Sequence, residues 1–140
     1  MYILDIPFVQ QLGIKTGFQP YELILPFNQK YTNHLGTWAA GIEFSLAEAA
    51  SGYCLFELFS EYRTGTTALL YEANIRFRRP AKGTLRALPE PSASAISQFQ
   101  QDMESRGKAR IMLPVSVLVG EDRVIARAEY HWQVNREPES

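Results

Sequence analysis

Tyr31-Thr32-Asn33-His34-Leu35-Gly36-Thr37 runs straight into Trp38-Ala39-Ala40-Gly41-Ile42-Glu43-Phe44-Ser45-Leu46-Ala47-Glu48, a polar turn followed by an apolar stretch that continues to Glu61. Alanines, leucines and aromatics with no proline predict a helix from Trp38 to about Phe59. At roughly 100° per residue, Glu43, Glu57 and Glu61 share one narrow face, and most of the remaining circumference is apolar or small. Such a helix has to be wrapped by other structure. Glu48 falls about 140° from the acidic stripe, among Gly41, Phe44, Ser45, Leu55 and Phe59. No lysine or arginine lies on the helix to neutralise it. A buried acid without a partner is costly, so Glu48 reads either as a functional carboxylate or as half of a structural ion pair.

Upstream of this stretch, Ile3 to Leu12 is a short amphipathic piece that Gly13 terminates, and Tyr21 to Phe27 alternates as a strand, with Pro26 at an edge or near its end. Downstream, a long strand follows Thr64-Gly65-Thr66-Thr67. Thr67, Leu69, Tyr71, Ala73, Ile75 and Phe77 face one way in it, and Glu72, Asn74, Arg76 and Arg78 the other. Lys82-Gly83 turns into a short strand, Thr84 to Leu88. Ser92 to Arg106, with Ile96, Phe99 and Met103 in register and Gly107 as stop, is a thin amphipathic helix. Ala109 to Val119 and Arg123 to Val134 form a hairpin through Gly120-Glu121-Asp122; Pro114 marks a bulge or an unpaired edge, and the polar tail frays from Arg136. One long buried helix and an antiparallel sheet make an α+β fold, with the sheet curled round the helix.

The chain has 140 residues, the size of one domain, so residues 1–140 are taken as a single unit. A net charge of -1 argues against nucleic acid or an anionic membrane as partner. The single cysteine, Cys54, excludes an internal disulfide and a cysteine-rich zinc site, and its place in the helix makes it a small buried hydrophobe. His34 and His131 are too far apart in sequence to suggest a metal-ligand cluster, and nothing resembles a phosphate-cradling glycine loop. No basic leader followed by an apolar run opens the chain, which sets a cytoplasmic expectation.

Three segments carry a resemblance that covers nearly the whole chain. They are Asn33-His34-Leu35-Gly36-Thr37-Trp38-Ala39-Ala40-Gly41, Ser45-Leu46-Ala47-Glu48, and Phe77-Arg78-Arg79-Pro80-Ala81-Lys82-Gly83. Together they resemble the hotdog-fold acyl-CoA thioesterases of the PaaI-like superfamily, within it the thioesterase domains of the YiiD C-terminal type. The resemblance implies that Glu48 is general base or nucleophile and that Asn33 is the family's amide. Backbone N–H groups around Ala40 and Gly41 would then form the oxyanion hole, where a helix start suits developing negative charge. Thr66 takes the place of a family Ser or Thr. Ala39 stands where the family has a histidine, and His34 is five residues too early to replace it. From its residues alone, Asn33 is equally a turn residue beside a helix start.

Arg76, Arg78, Arg79 and Lys82 cluster at one strand end, and Arg106, Lys108 and Arg110 at the start of another. They read as donors for coenzyme A phosphates or as a solvated strand face. Phe44, Leu55, Phe59 and Tyr71 suggest an apolar substrate pocket. The expectation is therefore a thioester hydrolase acting on an acyl-CoA or acyl-carrier-protein thioester. It needs no cofactor beyond the coenzyme A of its substrate, and it works as a homodimer or a tetramer of paired dimers, without nucleic acid or membrane. The alternative is a non-catalytic acyl-thioester-binding domain; a dehydratase and a purely structural domain fit the residues less well.

Overall fold

In the computed structural model, which describes residues 1–138, the sequence splits where its periodicity changes. The elements are α1 (Pro7–Leu12), β1 (Lys15–Thr16), β2 (Leu23–Leu25), α2 (Ala40–Leu58), β3 (Thr66–Phe77), β4 (Leu85–Pro89), α3 (Ala93–Arg106), β5 (Lys108–Val119) and β6 (Arg123–Arg136). The strands form one antiparallel sheet in the order β1-β2-β4-β5-β6-β3. Helix α2 packs on β2, β4, β5 and β6, and α3 packs on β5. This is the expected arrangement, a long helix held in a curved antiparallel sheet.

The core is built from the inward residues of the strands and from most of α2. Leu46, Ala47, Ala50, Cys54 and Leu55 are fully buried against Leu23, Leu85, Leu113, Val117, Ile125 and Tyr130. Ser51 is buried at no cost in unpaired groups: its hydroxyl donates to the Glu48 carbonyl at 2.7 Å and accepts the Trp132 indole N–H at 2.9 Å. Helix α3 begins at Ser92, whose Oγ accepts the Ala95 N–H at 3.1 Å. It ends at Gly107, where a φ of 70° lets the chain turn left-handed with its N–H on the Met103 carbonyl.

Three details depart from the sequence reading. Helix α2 starts at Ala40, two residues late, because Trp38 is held extended: it bridges Thr32, its N–H donates to Ala81 O and its Nε1 to Gly83 O. Strand β3 does not keep one face. A bulge between Leu70 and Glu72 leaves Thr67, Leu69 and Tyr71 outward, while Ala73 and Ile75 turn inward and Phe77 is again exposed. The tail expected to fray from Arg136 is paired there, with Arg136 N–H on Gly107 O and Glu137 N–H on Gly65 O; Glu139 and Ser140 lie outside the described residues.

Pro26 follows the end of β2. Pro114 is neither at a bulge nor on an edge strand, since β5 lies between β4 and β6 and Pro114 pairs with Glu129, but it falls just past the last residue of β4. The carbonyl of Pro114 takes the Glu90 N–H, so its missing N–H points to the side where β4 has already ended at Pro89. The β5–β6 bulge lies elsewhere, between Val117 and Leu118, and places Ile125 in the core.

Candidate active site

The start of α2 is unusually bare. Its N-cap is Ala39, which offers no side-chain acceptor, and the first backbone bonds run from Ile42 and Glu43 to the Ala39 carbonyl. The N–H groups of Ala40 and Gly41 therefore have no partner in the described chain, and both residues are exposed. Two free donors at the positive end of a 19-residue helix, with only small side chains around them, form an anion-accepting corner.

Asn33 builds the loop beside that corner. Its Oδ1 accepts from the N–H groups of Leu35 and Thr37 and from the Thr37 hydroxyl, at 2.8–3.2 Å. Its Nδ2 donates to the Trp38 carbonyl at 3.2 Å, which leaves one amide hydrogen free. Gly36 closes the turn with a φ of 73° that a side chain would strain. The turn reading and the functional reading of Asn33 are thus compatible in one side chain.

Asn33, Trp38 and Ala40 line a shallow pocket of about 280 Å³ together with Glu43, Phe77, Arg78, Arg79 and Pro80. Lys82 lies against the same loop, near Gly36. Of the residues singled out from sequence, the structure therefore brings together Asn33, Ala40, Arg78 and Arg79, with Gly41 and Lys82 beside them.

Others lie apart. Glu48 lines a separate, mostly apolar cavity of about 110 Å³, among Ile3, Ile6, Phe8, Val9, Ser45, Ala49 and Trp132. Burial raises its pKa, and it makes no ion pair among the described residues. The neighbouring Tyr130 phenol is pushed up, first by burial and then by the Glu48 charge; its hydroxyl donates to the Phe44 carbonyl at 2.7 Å. Phe44 is half-buried, with its ring 5.4 Å from that of Tyr130. Phe59 is 3% exposed and stacks on Phe99 under α3, at the far end of α2 from Asn33. Thr66 lies beyond that same far end, its hydroxyl donating to the Tyr62 carbonyl. Arg76 pairs across the strands with Arg127, and both line a separate pocket with Glu90 and Ser116. In the second basic cluster, Arg106 lies 3.6 Å from Asp102, while Arg110 bonds Gln133 and covers the Tyr71 ring.

The residue that the helical wheel misplaced is Glu43. It shares an angular position with Glu57 and Glu61, which are exposed, but it is itself 4% exposed, and its Oε1 has no hydrogen-bond partner. Burial pushes its pKa up to about 7. The reason is position along the helix. Glu43 lies in the first turns, where it shares a pocket with Asn33 and Trp38 and with Phe77, Arg78 and Arg79 at the end of β3 and just beyond it. The signal was present at its i±3 and i±4 neighbours, Ala39, Ala40, Leu46 and Ala47, none of them polar.

A long helix laid in a curved antiparallel sheet is the architecture of the hotdog-fold thioesterases. The chain belongs to the family described as "Putative thioesterase (yiiD_Cterm)", whose profile matches residues 2–132. A Pseudomonas aeruginosa protein of unknown function, described as a probable thioesterase, is 27% identical with a TM-score of 0.78, over 96% of this chain and 91% of that one. Two more distant structures share the fold. A Haemophilus influenzae thioesterase is 18% identical with a TM-score of 0.67 over 98% of this chain and 88% of its own. A Bacillus halodurans protein solved with CoA is 21% identical with a TM-score of 0.70 over 91% and 74%. No curated protein sequence matches the chain. Among the described residues, no helix is long and apolar enough to cross a membrane, and no group of three or more His, Cys, Asp or Glu is placed to hold a metal.

Proposed function

We propose that the protein hydrolyses the thioester bond of an acyl-CoA or acyl-carrier-protein substrate, at a site shared between two copies of the chain. The observation that carries this reading is the pair of free N–H groups at Ala40 and Gly41, in one corner with Asn33 and the exposed guanidiniums of Arg78 and Arg79. The thioester carbonyl oxygen sits on those donors, and Arg78, Arg79 and Lys82 hold the phosphates of the thiol carrier. Glu48 removes a proton from water, whose oxygen adds to the carbonyl carbon. The charge that develops on the carbonyl oxygen is met by the two N–H groups and the free Asn33 amide hydrogen. The C–S bond then breaks to give the acid and the thiol. A carboxylate whose pKa is raised by burial is a stronger base than an exposed one.

Within one chain Glu48 opens onto a different cavity from Asn33 and Ala40, so this chemistry takes Glu48 from a partner protomer. Strand β3 supplies the surface for that partner. It ends the sheet, runs for 12 residues, and exposes Leu69, Tyr71 and Phe77 by 60, 45 and 48%. A long edge strand with outward apolar residues calls for a second strand. Ala39, in place of the family's histidine, is the observation that favours the other reading, an acyl-thioester binder that does not turn over. Thiol release measured across short, medium, long and aryl acyl-CoAs separates the two. Turnover of any of them supports hydrolysis; saturable binding with no thiol released supports the binder.

A further inference from the structure

Glu43 has no part in the chemistry above, yet it is the buried carboxyl that lies in the same pocket as the free helix N–H groups. Its Oε1 has no partner, and the residues around it are Asn33, Trp38, Ala40, Arg78 and Arg79. Native structures rarely leave a buried polar atom unpaired, because desolvation is then uncompensated. Neither arginine lies within ion-pair distance of it. No other charged side chain lines the pocket: the loop contributes Asn33 and Trp38, and β3 contributes Phe77. The carboxyl thus lines the pocket in which a substrate would lie, with one oxygen buried and unpartnered.

The geometry points to Glu43 as a second acid–base residue of this site, one that hands its carboxyl proton to the sulfur of the departing thiol. This rests on the hydrolytic reading. The direction of the substrate follows from the pocket. Arg78 and Arg79 hold the thiol carrier, so the sulfur side of the thioester lies on their side, with Glu43, while Glu48 meets the water. As the tetrahedral intermediate collapses, the C–S bonding pair goes to sulfur and the Glu43 proton goes with it. Before the next turnover the Glu43 carboxylate regains a proton from solvent and Glu48 gives up to solvent the proton it took from water. A carboxyl with a pKa of about 7 is protonated for about half of the molecules at neutral pH, and its proton moves downhill to an alkyl thiolate whose pKa is about 8.5. An exposed glutamate would be ionised and have no proton to give.

The test compares wild type with Glu43→Gln on two thioesters of the same acyl group, one of coenzyme A and one of an aryl thiol. The aryl thiolate is a far weaker base and needs no proton to leave. The variant is expected to slow the coenzyme A ester by about 10²-fold and the aryl ester by less than about threefold. The wild-type kcat/KM for the coenzyme A ester should fall above about pH 7, as Glu43 loses its proton, and that alkaline limb should be missing in the variant. Equal losses on both esters would make Glu43 a structural residue, and no loss on either would make it a bystander; each overturns the assignment. A wild type that releases no thiol from either ester refutes the hydrolytic reading itself, and this inference with it.

Discussion

Replacing Glu43 with glutamine should stabilise the protein at alkaline pH and leave it unchanged in acid. In the native state the carboxyl titrates at about 7; in the unfolded chain it titrates near 4.5. Between those values the native state keeps a proton that the unfolded chain has released, so wild-type stability falls as pH rises, by up to about 1.4 kcal/mol per unit. Above pH 7 the full cost is about 3 kcal/mol, from roughly 2.5 units at 1.36 kcal/mol each. The helix dipole works the other way, favouring the ionised form by about 0.3–1 kcal/mol, and is too small to reverse it. Glutamine copies the shape and polarity of the neutral acid, so the variant lacks only the ionisation. Urea unfolding at pH 4.5, 6 and 8, at fixed protomer concentration, reads this directly. The variant should match wild type at pH 4.5 and exceed it by about 3 kcal/mol at pH 8. A variant no more stable at pH 8, or one whose advantage persists into acid, would refute the burial argument.

Glu48→Gln should keep the fold and substrate binding while lowering thiol release by roughly two orders of magnitude or more, the scale of a lost general base. A variant that melts much earlier yet hydrolyses normally per folded molecule would make Glu48 structural. Glu22, 2% exposed, accepts the Phe18 N–H and two bonds from Arg86, so Glu22→Ala should destabilise by about 3 kcal/mol in urea; a change below about 0.5 kcal/mol would remove the pair from the account. Leu69→Lys on the exposed edge strand should shift the protein from dimer to monomer in light scattering and reduce turnover with it. A wild type already monomeric at micromolar concentration would contradict the shared site.

What the sequence made legible was whatever depends on local period. In the sequence Val124, Ala126, Ala128, Tyr130, Trp132 and Val134 alternate with polar residues, which predicts the buried face of β6 from Ala126 onward. It does not predict the bulge that buries Ile125 in place of Val124. Ser92 and Gly107 mark both ends of α3. What stayed hidden depends on tertiary partners. Trp38 looks helical by composition; its bridge to Thr32 and its bonds to Ala81 and Gly83 hold it extended and move the helix start to Ala40. The bulge after Leu70 follows from pairing with β6, so no period in β3 alone could announce that Ala73 and Ile75 change face. A helical wheel records angle and not height, so it groups Glu43 with Glu57 although one is buried beside the pocket of Asn33 and Trp38 and the other is exposed.

If the bare start of α2 holds the oxyanion, Ala40→Pro isolates that role. Ala40 is the first residue of the helix, where proline fits the backbone and removes only an N–H that has no intrachain partner, and Ala39 before it is already extended. Thiol release from an acyl-CoA, measured alongside melting, should show an unchanged fold and turnover lower by about 10²–10³-fold. A proline variant that folds and releases thiol at the wild-type rate would contradict the account.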